Sequence, residues 1–115
     1  STFPTIEVQA GSFTNSTFGV TAVNTAFTIA SGATANLTAN FAGTAGAGSN
    51  INNGTLNINA NGVFALTGFT NENVLTFNTG TNSTPITNNA TLTVASGTST
   101  SNTATITNNL TMNVK

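Results

Sequence analysis

Three residues in this chain of 115 carry a charge: Glu7, Glu72 and Lys115, and there is no His, Cys, Tyr or Trp. Without an imidazole or a thiol, neither a Ser-His-Asp nor a Cys-His arrangement can be built. Acid–base chemistry would fall to Glu7 and Glu72 alone, which could form a glycosidase-like pair only if folding set them side by side. The simpler expectation is two solvated carboxylates, one on an edge strand and one in a turn, with Lys115 a solvated end. The chain is therefore expected to be no enzyme and to hold no cofactor.

Oxygen chemistry remains. Calcium accepts carboxylate, amide and backbone oxygens, and Thr70 to Asn73 (TNEN) sets Asn71, Glu72 and Asn73 together. One carboxylate makes only a weak site, and Asn is common in turns for its own backbone bonding. The glycines of Ala42 to Asn50 (AGTAGAGSN) lack the following Lys and helix of a phosphate loop. N-x-S/T sequons begin at Asn15, Asn36, Asn53, Asn82, Asn89 and Asn109. This Asn, Ser and Thr content produces roughly six by chance, so glycosylation depends on the host. Threonine strands can also order water as ice-binding surfaces do, but that needs a flat, regular array, and TLT, TAT and TIT lie scattered here.

The elements that would position these groups are strands. The chain has 26 Thr, 20 Asn and 9 Ser, with charged residues at 3% where a soluble domain has roughly 25%. Exposed helix formers are nearly absent, and no stretch keeps the i, i+3, i+4 apolar spacing. The firmest local signal is Ile51 to Gly68. A three-residue loop, Ala60-Asn61-Gly62, would pair Ile58 with Phe64 and Leu56 with Leu66 in a β-hairpin. All four then share one face, with Asn57, Asn59, Val63 and Ala65 on the other. Further short strands are expected at Phe18 to Val23, Ala26 to Ala30, Ala35 to Phe41, Val74 to Asn78, Thr91 to Ala95, Thr103 to Thr107 and Leu110 to Val114.

Strands recurring every nine or ten residues predict an all-β fold. A single jelly-roll-like β-sandwich of about 8–10 short strands is the first expectation. The alternative is a β-solenoid with a coil of about 19 residues. Phe18, Leu37, Leu56, Leu75 and Val94 are spaced nineteen apart, and the phrases NNGTLNI, NENVLTF, NNATLTV and NNLTMNV recur. Residues 1–12 form an extended segment with Gly11-Ser12 as hinge, and residues 13–115 one β domain. Pro4 has no amide donor and suits an edge. Phe3, Ile6, Val8 and Ala10 lie along this segment as the residues that would insert into a neighbouring subunit. The competing reading makes the segment the first strand of its own domain.

A formal charge of −1 removes the repulsion that keeps proteins apart, and with one basic residue neither nucleic acid nor an anionic membrane surface is an expected partner. No apolar run long enough for a membrane helix is present, and membrane insertion is not expected. In composition and strand spacing the whole chain resembles secreted prokaryotic filament subunits, small β-sandwich pilins that assemble by donor-strand complementation. The NNxTLxV phrases are similar to repeats of autotransporter and filamentous-haemagglutinin solenoids. These resemblances imply an extracellular structural subunit whose partners are copies of itself, joined head to tail, and other cells or surfaces. The alternative is a cell-surface adhesin or carbohydrate-binding β module.

Overall fold

The computed structural model of the chain describes residues 2–15, 21–44, 47–59, 63–95 and 100–115. Its described segments are strands apart from one 3₁₀ turn at Ala47–Ser49. The first coil holds β1 (Thr2–Val8) and β2 (Ser12–Thr14), and the second holds β3 (Thr21–Ile29) and β4 (Thr34–Leu37). Three strands make each later coil. They are β5 (Phe41–Ala42), β6 (Asn50–Asn52) and β7 (Thr55–Ile58), then β8 (Val63–Ala65), β9 (Phe69–Asn71) and β10 (Val74–Phe77). After these come β11 (Gly80–Asn82), β12 (Ile86–Asn88) and β13 (Thr91–Val94), and finally β14 (Thr100–Asn102), β15 (Ile106–Asn108) and β16 (Thr111–Val114).

Every described strand pairing is parallel, and each joins one coil to the next. One sheet runs β2-β4-β7-β10-β13-β16. The long strands β1 and β3 span two further faces. The start of β3 continues through β5, β8, β11 and β14, and its end through β6, β9, β12 and β15. The fold is a parallel β-solenoid. Its corners are laddered too: the amides of Asn53, Glu72, Asn89 and Asn109 donate to Ile29, Asn52, Asn71 and Asn88 of the preceding coil at 2.8–2.9 Å.

The all-β expectation holds and the solenoid alternative is the architecture found; the jelly-roll sandwich is not. Ile51 to Gly68 shows why. Leu56, Ile58, Phe64 and Leu66 are buried, as the alternation predicted. Their partners, however, are in other coils. Ile58 aligns with Leu37 and Phe77, and Phe64 with Phe41 and Asn82, so β7 and β8 belong to different sheets and form no hairpin. The proposed turn at 60–62 lies outside the described residues. Period-two alternation fixes which way a side chain points, but leaves open what lies beside it.

The nineteen-residue phase was only an average. Ser12, Thr34, Thr55, Val74, Thr91 and Thr111 align coil on coil, at steps of 22, 21, 19, 17 and 20 residues. Corner length varies while strand length does not. Of the nineteen-spaced set, Leu56 and Leu75 align directly, whereas Leu37 aligns with Ile58 and Phe18 lies outside the described residues.

The core fills the bore of the solenoid. Phe27 and Phe41 stack with ring centroids 4.6 Å apart, and Phe64 meets Phe69 edge-on at 5.6 Å. Ala35, Leu56, Leu75 and Leu92 form a buried rank beside them. One corner comes so close that only glycine fits. A Cβ on Gly54 would lie 2.3 Å from the Ala33 carbonyl oxygen and 2.4 Å from that of Ala30.

Candidate functional surface: asparagine ladders and an open last coil

Each recurring phrase of the sequence begins with an asparagine that turns inward. Asn52, Asn71 and Asn88 are fully buried, at 0% exposure, and align with one another and with Asn108. A buried amide needs partners for both its oxygen and its two N–H groups, and the parallel register supplies them. Asn52 Nδ2 donates to Asn71 Oδ1 at 2.8 Å, Asn71 Nδ2 to Asn88 Oδ1 at 2.8 Å, and Asn88 Nδ2 to Asn108 Oδ1 at 2.7 Å. The same nitrogens also donate to the corners, to the carbonyls of Val74, Thr91 and Thr111. On a neighbouring face Asn82 Nδ2 donates to Asn102 Oδ1 at 2.7 Å.

These ladders have direction. At the early end the Gly54 amide caps Asn52 Oδ1 at 3.0 Å, and Asn52 aligns with an apolar residue, Ile29, in the preceding coil. At the late end stands Asn108, which is exposed. Around it the last coil presents Leu110 at 68%, Val114 at 70% and Met112 at 37% exposure. Among the described residues β14, β15 and β16 each pair on one edge only. A cavity of about 190 Å³ opens there, lined by Phe77, Val94, Ile106 and Met112 with the amides of Asn82 and Asn102.

The two carboxylates are kept apart. Glu7 lies on β1 and accepts from Gln9 Nε2 at 2.9 Å, while Glu72 follows β9 and accepts from Asn89 Nδ2 at 2.6 Å. Three coil steps separate these strands, about 14 Å at the usual strand spacing, which is beyond a carboxylate pair sharing one glycosidic bond. The oxygen cluster at Thr70 to Asn73 also disperses. Asn71 turns into the ladder, Glu72 turns out to Asn89, and Asn73 Nδ2 reaches the Asn53 carbonyl at 3.4 Å. Among the described residues no group of three or more His, Cys, Asp or Glu could hold a metal ion.

Phe3, Ile6 and Val8 are laid on the chain's own β3, opposite Val23, Phe27 and Ile29. Val8 is 6% exposed, Ile6 packs on the core, and Phe3 is 41% exposed. Ala10 lies beyond the strand, exposed in the bend before Gly11. Among the sequon asparagines, Asn53, Asn89 and Asn109 are exposed at one corner, and Asn36 is half-buried against Asn57. Asn15 and Asn82 are 3% and 2% exposed, and their amides are taken up by internal hydrogen bonds.

The residues that sequence reasoning missed are Asn52, Asn71, Asn88 and Asn82. Asparagine was assigned to turns and outer faces, yet the first Asn of each recurring phrase is a ladder rung, and that recurrence was the available signal. Compared with known proteins, the chain matches no family model, no curated protein and no solved structure.

Proposed function

We propose that the chain is a non-enzymatic structural subunit of an extracellular filament, lengthened by β-strand addition coil upon coil. The observation that carries this reading is the last coil. Its three strands expose unpaired backbone, its apolar residues Leu110, Met112 and Val114 stand partly or largely in solvent, and the Asn108 rung ends the ladder. Parallel strand addition would pair the backbone, cover the apolar residues and meet both needs with one contact. Repeated head to tail, that contact propagates without closing. A charge of −1 across 115 residues puts little repulsion in the way of such growth.

This joint replaces the exchanged first strand of a pilin, since β1 already occupies its place on β3. A second reading has its own observation. Val8, Ile29 and Asn52 share a rank, so a neighbour's first coil would set Val8 against Asn108. A coil carrying Asn at that rank would extend the ladder fully. This favours a rod section within a larger surface adhesin.

The test places charge on the open edge, in a Leu110→Lys/Val114→Lys double variant. Sedimentation velocity across a wide concentration range should show large assemblies for the parent chain and monomers for the variant, with the same circular dichroism. A parent chain that sediments as a monomer at every concentration would reject self-assembly and leave the adhesin-rod reading.

A further inference from the structure

The threonines that lie scattered in the sequence are gathered by the fold. On the outer side of the sheet β2-β4-β7-β10-β13-β16, two residues of every strand point away from the core. The first rank is Ser12, Thr34, Thr55, Val74, Thr91 and Thr111; the second is Thr14, Asn36, Asn57, Thr76, Thr93 and Asn113. TLT contributes Thr91 and Thr93 to this face, whereas Thr107 of TIT lies on another. From this array we infer that the face binds ice, its ligand being the ordered water of a growing crystal plane.

The argument is one of spacing, chemistry and charge. Along each rank the repeat is the strand spacing, about 4.8 Å, and between ranks it is two residues of rise, about 6.7 Å. These are close to the two orthogonal repeats of the prism face of hexagonal ice. Strands in register, with amide ladders and stacked rings on the inner faces, are the conditions under which a sheet stays nearly flat. A threonine offers both a methyl, which orders water around it, and a hydroxyl, which can join that order by hydrogen bonding. Among the described residues the hydroxyls of Thr55, Thr76, Thr91 and Thr93 are bonded to no other side chain, and the amides of Asn36 and Asn57 continue their own rank at 3.0 Å.

None of the sheet's strands carries a charged residue. A fixed charge would hold its own hydration shell, which does not fit a crystal lattice. The chain's other outer rank of comparable length makes the contrast. It runs Glu7, Thr28, Ile51, Thr70, Thr87 and Thr107, a single file with a carboxylate at one end. Sugar binding by ring stacking is disfavoured because the aromatic residue among these strands' described positions nearest the surface, Phe13, packs against the core. Coil-on-coil assembly would leave this face open and lengthen the array, so the inference does not depend on the proposed filament.

The test is uptake of the parent chain into slowly grown polycrystalline ice, alongside Thr76→Lys, Thr91→Val and Thr87→Lys, with thermal unfolding confirming that each is folded. The parent chain should enter the ice. Thr76→Lys should lower the uptake by more than about tenfold, Thr91→Val should lower it less, and Thr87→Lys on the other face should leave it unchanged. Exclusion of the parent chain from ice would overturn the inference, as would an equal loss from Thr87→Lys. Exclusion from ice together with a concentration-dependent mass that Thr76→Lys abolishes would overturn it in favour of two copies pairing face to face.

Discussion

At the scale of single residues, the buried asparagines do what a hydrophobic core cannot: they specify register. A Leu rank can slide by two residues and still bury apolar surface, but an Asn rank that slides leaves amides without partners, at about 1–3 kcal/mol for each unsatisfied group. Asn71 is the centre of its ladder, bonded to Asn52, Asn88 and the Thr91 carbonyl. Its replacement by Ala strands groups in both adjacent coils, and a loss on the order of 3 kcal/mol is expected in urea unfolding. Gly54→Ala should cost about 1–3 kcal/mol by forcing the Ala30–Ala33 corner outward. Phe64→Ala, which removes a ring touching Phe41, Phe69 and Phe77, should cost about 3–5 kcal/mol in the same measurement. Asn53→Ala, exposed at a corner, is the comparison expected to fall within about 0.5 kcal/mol of the parent chain.

At the scale of the element, direction was legible and partnership was not. The alternation in Leu56, Ile58, Phe64 and Leu66 placed all four inside, because the two-residue period is a property of the strand alone. Pairing depends on what the corners bring alongside, and the corners differ in length from coil to coil. Leu56 meets Ala35, 21 residues before it, and Leu75, 19 residues after it, so no constant spacing finds both. The recurring NNxTLxV phrases held the answer, since each spans one corner and one strand of the Thr-rich sheet. The Thr array was invisible for the same reason: TLT of β13 shows only two of its members, and the rest arrive from strands that share no contiguous motif. Within this element the end strand should be the weakest. In hydrogen exchange the amides of β16, paired on one side, should exchange faster than those of β10, which lies between β7 and β13. Comparable protection in both would mean that the open edge is covered in solution.

At the scale of the whole molecule, the solenoid and its near absence of charge belong together. Parallel stacking puts like residues one strand spacing apart for the length of the molecule, and a rank of Lys or Glu in that register would repel itself. Thr and Asn can stand in such ranks at no Coulombic cost, and Asn gains a hydrogen bond from each neighbour. The same neutrality makes assembly insensitive to salt: any self-association should change little between low and high ionic strength, in contrast to contacts built on ion pairs. The central claim, that this coil stack is extended by further coils along its own axis, is tested most directly by electron microscopy and diffraction of the purified chain at neutral pH. The account predicts filaments whose strand-spacing repeat of about 4.8 Å lies along the filament axis. Discrete particles at every concentration, or filaments in which that repeat lies across the axis, would contradict it.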